Sequence, residues 1–182
     1  MIYTELAQDT IYKIISTLEK GGGSELDRAV DEALRNLVTG FNTDQGLLWL
    51  ILGDRLTVTS GFSMQGDSRP LAGLSLDAQQ GTSLVLNFLS LGNSAIEVDR
   101  ASSDWGALLK VSQDFDSQLV VALKARGLFQ GFLTLQSRNE RQWSADERST
   151  LEKVAALLAV IISYDFDVQR IEQSSKAGHS AT

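Results

Sequence analysis

The sequence places side chains that can do chemistry in tight pairs at two points. Asp114-Phe115-Asp116 and Asp165-Phe166-Asp167 each set two acids two residues apart. Such a pair can hold a hard cation or divide general-acid and general-base work. A cation site draws more oxygen ligands from one loop than either triplet offers, so both read as solvated surface acids. Cysteine is absent, and the single histidine, His179, lies near the C-terminus. That removes thiolate metal sites, disulfides, iron–sulfur ligation, thiol nucleophiles and thioether-linked cofactors, and it leaves the core without a Ser/His relay. No glycine-rich loop with a following lysine is present to cradle phosphate; Gly127 and Gly131 suit turn and strand positions, and Lys124 and Arg126 read as exposed charges. The expectation is a protein that is not an enzyme and has no metal centre.

Binding is the chemistry that remains. Phe88, Trp105, Phe115 and Phe132, with Leu109, are candidates to line an apolar ligand cavity, and each of these aromatics also suits ordinary core packing. Sixteen Lys and Arg against 23 Asp and Glu leave a net charge of −7 over 182 residues. The basic stripe that nucleic acid requires is missing, so any partner surface is expected to be basic or apolar. The apolar runs Gly46–Leu52 and Val154–Ile162 fall short of the roughly 20 residues that cross a bilayer. Glu5 and Asp9 stand where a signal peptide would be basic or apolar. A cytoplasmic protein without a membrane span is the expectation.

The elements that must position these residues follow from periodicity. Ile2, Leu6, Ile11, Ile14, Ile15 and Leu18 mark one face of a first helix, which Gly21-Gly22-Gly23 breaks as an elbow. Ser24 caps a second helix that buries Leu26, Val30, Ala33, Leu34 and Leu37. The run Gly46–Leu52 and the alternating Arg55–Ser60 form a hairpin around Gly53-Asp54, with Gly53 supplying the positive φ of a type II′ turn. Ser63–Gln80 reads as a variable loop or short helix, Gly81–Leu91 as a helix, Ala95–Val98 as a short strand, and Ala101–Ser117 as a loop with a short helix. Gln118–Lys124 and Leu128–Gln136 make a second hairpin. Ser144 and Glu147 announce a capping box and a helix running to about Gln173, its last third projecting ahead of a disordered tail, Ser174–Thr182.

The second half of the chain carries a family likeness. Ser117–Lys124, Leu128–Gln136, Gln142-Trp-Ser-Ala-Asp-Glu147 and Leu151–Ile161 together resemble the C-terminal half of a GAF domain. Gly81–Asp99 is similar to that family's helix and following strand, and Arg141-Gln-Trp-Ser resembles the GAF domains of cyanobacterial-type sensor proteins. The resemblance implies an α+β fold over residues 24–165. A central antiparallel β-sheet would have the second and last helices on one face and the Ser63–Phe115 region on the other, with small ligands held between sheet and loops. Residues 1–23 would be an N-terminal amphipathic helix and glycine elbow, and 166–182 the end of the C-terminal helix and its tail.

The missing cysteine excludes the bilin attachment and the methionine sulfoxide reduction known in that family, and the cyclic-nucleotide signature is not matched. What the resemblance leaves is a sensory or regulatory module in signal transduction, with no covalent cofactor and a non-covalent ligand of unknown identity. The alternative is a ligand-free scaffold for protein–protein interaction with a structural GAF core. The stripes Ile11, Ile14, Leu18 and Leu158, Ile161, Val168 are expected to need a cover that a second copy supplies, giving a homodimer through the terminal helices. No kinase, receiver or cyclase segment follows the long helix within this sequence, so output is expected to pass through a signalling partner protein unless the chain is an input fragment.

Overall fold

Two strand pairs, each closed by a two-residue turn, build the middle of the molecule. Arg126 and Gly127 both hold positive φ, 53° and 76°, the pattern of a type I′ turn whose twist matches its strands. Gly53 has φ 63° in the other turn, as the sequence predicts. The computed structural model describes residues 2–18, 25–65, 75–77, 95–99 and 115–179. In chain order these form α1 (Ile2–Leu18), α2 (Glu25–Phe41), β1 (Gln45–Leu52), β2 (Arg55–Ser63), β3 (Ser75–Leu76), β4 (Ala95–Asp99), β5 (Ser117–Ala125), β6 (Leu128–Ser137) and α3 (Ala145–His179). The strands make one sheet in the order β3-β2-β1-β6-β5-β4, and every neighbouring pair is antiparallel.

Alternation along each strand gives the sheet two apolar faces. Leu48, Leu50, Leu119, Val121, Leu123, Leu133 and Leu135 point to one side, where Val30, Leu34 and Leu37 of α2 and Leu151, Val154 and Leu158 of α3 cover them. Leu47, Trp49, Leu56, Val58, Leu76, Val98, Val120, Ala122 and Phe132 point to the other. The fold is α+β, an antiparallel sheet flanked by helices, with long helices at both ends of the chain.

Helix α1 lies in the groove between α2 and α3 and adds a second layer behind them. It runs antiparallel to α2, with Lys13 Nζ donating to Asn36 Oδ1 at 3.3 Å and Thr17 Oγ1 to Glu32 Oε2 at 3.3 Å. Thr150 Oγ1 donates to the Tyr3 carbonyl at 3.0 Å, which brings the starts of α1 and α3 together and sets them running in the same direction. The buried face of α1 is Ala7, Thr10, Ile14 and Thr17, a 3-4-3 spacing of mostly small side chains that lets the helix settle deep in its groove.

This placement corrects the expected uncovered stripe. Ile14 and Leu158 are fully buried in this chain's own core, because α1 folds back on α2 and α3 and needs no second copy to cover them. Ile11, Leu18 and Ile161 are partly buried against the same core, and Val168 is half-buried. Ile15, assigned to the inner face by periodicity, is 44% exposed. Two further expectations change. The stretch read as loop or short helix begins as the end of β2 and contains the edge strand β3, which pairs Ser75 and Leu76 with Thr57 and Leu56. The tail read as disordered from Ser174 continues α3 to His179, since no proline interrupts it and its first glycine is Gly178. The expected helix Gly81–Leu91 and the Ser24 cap lie outside the described residues.

Gly131 marks the tightest point of the sheet. It follows the bulge where the β5–β6 register shifts, and a Cβ built there would stand 1.9 Å from the Trp49 carbonyl oxygen. That oxygen is backbone in a central strand and cannot move aside. Gly131→Ala is therefore expected to destabilise the protein by about 3 kcal/mol or more, read from chemical denaturation; an unchanged midpoint would contradict the contact.

Candidate functional site

The face of the sheet turned away from α2 and α3 carries buried polar groups among its apolar ones. Its first row is a ladder of buried amides. Gln45 Nε2 donates to Gln136 Oε1 at 2.9 Å, and Gln136 Nε2 donates to Gln118 Oε1 at 3.1 Å. The three residues stand side by side because strand register pairs Gln45 with Gln136 and Gln136 with Gln118. The next row holds Leu47, Thr134 and Val120, and the third holds Val58, Trp49, Phe132 and Ala122. Gln118 Nε2, Thr134 Oγ1 and Trp49 Nε1 are sealed from solvent and have no hydrogen-bond partner among the described residues. A buried polar atom left unpaired costs about 1–3 kcal/mol; Thr10 Oγ1, Glu25 Oε2, Asn36 Nδ2 and Gln130 Oε1 are in the same position among the described residues.

On the opposite side of the sheet, one carboxylate ties the helices together. Ser144 N–H donates to Glu147 Oε2 at 2.8 Å and Glu147 N–H donates to Ser144 Oγ at 3.2 Å, the capping box expected from the sequence. Tyr3 of α1 donates its hydroxyl to Glu147 Oε1 at 3.0 Å, and Arg141 forms an ion pair with the same oxygen. Arg141 also reaches the Phe41 carbonyl at 2.6 Å, closing the C-terminus of α2, and lies 4.5 Å over the Trp143 ring. Trp143 Nε1 donates to Ser117 Oγ at 3.0 Å, which anchors the cluster to β5. Burial by itself would raise the Glu147 pKa, but the bonds from Ser144, Tyr3 and Arg141 outweigh it and hold the carboxyl below its ordinary value of 4.5. Burial, and then the bond to Glu147, push the Tyr3 hydroxyl up.

Comparison with known proteins bears directly on this arrangement. The family model for the GAF domain matches residues 25–162, from the start of α2 into α3. The chain belongs to the GAF family. GAF domains are sensory and regulatory modules, and similar solved structures share the fold. The GAF domain from a phosphoenolpyruvate-protein phosphotransferase of Coxiella burnetii superposes with a TM-score of 0.75 at 14% identity, covering 93% of this chain and 98% of that one. A phycocyanobilin-bound GAF domain from a cyanobacterial phytochrome gives 0.73 at 15% identity, over 87% and 94%. The chromophore-binding domain of a bacteriophytochrome from R. palustris gives 0.73 at 11%, over 92% and 62%. No curated protein matches the sequence.

Of the residues singled out for this GAF domain's pocket, the structure puts Phe132 at the middle of the polar-lined face, where its ring meets that of Phe129 edge-on at 4.9 Å. Phe115 is buried under Arg138, whose guanidinium carbon lies 5.9 Å from the ring centre. Phe88, Trp105 and Leu109 lie outside the described residues. Of the acid pairs, Asp116 donates its backbone N–H to the Ser137 carbonyl at 2.9 Å and Asp167 pairs with Arg126 at 3.0 Å, while Asp114 lies outside the described residues. Among the described residues no group of three or more His, Cys, Asp or Glu is placed to hold a metal ion. No helix among them is long and apolar enough to cross a membrane.

Sequence reasoning missed Gln45, Gln118, Gln136, Thr134 and Trp49 as a set. For Gln118, Thr134 and Gln136 the available signal was a polar residue alternating with apolar ones along β5 and β6, as in Gln118-Leu119 and Leu133-Thr134-Leu135-Gln136.

Glu147 gives a test with a defined sign. Its lowered pKa contributes stability above the ordinary carboxylate range, and that contribution is lost as pH falls from 4.5 through the folded-state value. Glu147→Gln leaves Arg141 without its charge partner and is expected to cost about 3 kcal/mol at neutral pH. The same variant should flatten the acid limb of the stability curve, measured by urea unfolding between pH 3 and 7.

Proposed function

We propose that this GAF domain is a non-catalytic, cytoplasmic sensory module that holds a small molecule non-covalently on the polar-lined face of its sheet and signals as a homodimer to a partner protein. The observation that carries the ligand half is the trio of buried, unpaired groups on Trp49, Gln118 and Thr134. Several buried groups with unmet hydrogen bonds on one face support a site that a polar molecule would complete. With no cysteine in the chain, the ligand is held without a thioether bond.

The dimer half rests on the outer surface of the helical layer. With Tyr3 beside Thr150, equal rise along two helices running the same way sets Tyr12 and Ile15 about level with Ala159 and Ile162. Tyr12 and Ile15 are exposed there, and so are Val160 and Tyr164 of α3, at 58% and 66%. Leu157 and Ile161 are only partly covered between them. Large apolar side chains gathered on one exposed side of two neighbouring helices fit a twofold contact. The dimer surface proposed here thus shifts outward from the stripe that periodicity picks.

Two measurements test the reading. Light scattering should return a dimer mass for the intact chain and a monomer mass for Val160→Glu/Tyr164→Glu, with the far-ultraviolet dichroism of the two unchanged; a monomeric intact chain overturns the dimer. Denaturing mass spectrometry of freshly purified protein should show a co-purifying small molecule, or a metabolite panel should raise its melting temperature. A protein that is empty and indifferent to every metabolite favours the ligand-free scaffold.

A further inference from the structure

The outward side of α3 has a pattern that reads the same from both ends. Lys153, Ala156, Val160, Tyr164 and Asp167 follow one another at steps of three, four, four and three, which keeps them on one side of the helix. Lys153, Ala156, Val160 and Tyr164 are exposed and Asp167 is half-buried. Counted from Val160, the positions before it and after it are equally spaced. The chemistry on the two sides is opposite: a cation and a small side chain precede Val160, and a large side chain and an acid follow it.

A twofold contact through this side can be made in two directions, because the same patch must meet itself. With the axis along the helix, every residue stands beside its own copy. Lys153 then faces Lys153, the two Tyr164 rings crowd one level, and the two Ala156 methyls leave a gap at another. With the axis crossing the helix at Val160, Lys153 comes level with Asp167 of the second copy and Tyr164 comes level with its Ala156. Like charges set against each other oppose association, and interfaces pack large side chains against small ones. Lys153 belongs to none of the ion pairs found among the described residues. Asp167 holds Arg126 at the surface, and a carboxylate has acceptor sites for more than one cation.

We propose that the occupant of this surface is a second copy lying antiparallel, its α3 crossing this one at Val160, so that Lys153 of each copy pairs with Asp167 of the other and Tyr164 of each covers Ala156 of the other. This rests on the reading that the outer helical surface dimerises, and it fixes the direction of that contact. The direction has a consequence for output. Helix α3 runs to His179, 19 residues past Val160, so the two ends lie about 60 Å apart at 1.5 Å per residue. A protein that reads the end of α3 meets two separate sites and not a joined pair of helices.

The absence of cysteine from the chain makes labels unambiguous. Gln173→Cys and Lys153→Cys, each made singly in the full chain and carrying a nitroxide, would be measured by double electron–electron resonance. The antiparallel pair is expected to give about 40 Å at the first position and about 20–25 Å at the second, from helical rise on both sides of Val160 and the spacing of packed helices. A parallel pair gives values near the roughly 10 Å spacing of neighbouring helices at both. Mild oxidation of Lys153→Cys/Asp167→Cys should yield a 153–167 disulfide located by peptide mass mapping, while Lys153→Cys alone stays uncrosslinked. Within one helix those positions are about 21 Å apart, so that bond can form only between copies. Short distances at both labels, or a 153–153 disulfide, overturn the antiparallel arrangement and leave the dimer standing. A dimer whose distances match neither arrangement overturns the contact at Val160. A monomeric intact chain by light scattering overturns the dimer reading and this proposal together.

Discussion

The arrangement of the helices in this GAF domain hangs on one buried carboxylate. Glu147 opens α3 by capping its first turn, accepts the Tyr3 hydroxyl from α1, and holds Arg141, which in turn closes the last carbonyls of α2. Three helices that diverge in sequence are thereby fixed to one origin. A carboxylate in that position would be expensive if its oxygens were unpaired, and the full set of donors around it is what turns the expense into a constraint on geometry. The small inner residues Ala7 and Thr10 then follow as a requirement, since α1 must sit close to its neighbours for Tyr3 to reach the site.

The sheet between the two faces works by separating tasks. Leu119, Val121 and Leu123 of β5 and Leu133 and Leu135 of β6 join the core that α2 and α3 cover, and that face is finished by packing. Even positions of the same strands carry Gln118, Gln136 and Thr134. Period-two alternation lets a single strand serve a wholly apolar core on one side and a polar-lined one on the other, with only the backbone shared. The Gly131 approach to Trp49 matters here, because it draws β1 and β6 into the contact that brings Trp49 and Thr134 onto adjacent strands.

Much of the scaffold was legible in the sequence because its signals are local. The two hairpins announce themselves through Gly53 and Arg126-Gly127, and Ser144 with Glu147 spells a capping box within four residues. The quoted second-half motifs led to the right family. What stayed hidden depends on separation along the chain. Gln45 finds Gln136 across 91 positions, and a lone glutamine at a strand end looks like an exposed one until its partner is known. Periodicity likewise could not choose between Ile14 and Ile15, adjacent and equally apolar; the choice is made by α2 and α3, which bury the side of α1 that also carries Thr10 and Thr17.

The glutamine ladder has a property that no single residue of it has. An amide carries a donor at one end and an acceptor at the other, so three amides bonded in series must all point the same way, from Gln45 through Gln136 to Gln118. Turning Gln136 around breaks both bonds and turning either end amide breaks one, unless all three turn together. The sense in which Gln118 meets its surroundings is therefore decided at Gln45, two strands or roughly 10 Å away. Which hydrogen-bonding groups the middle of the sheet presents is thus settled partly at its rim, in a side chain two strands away.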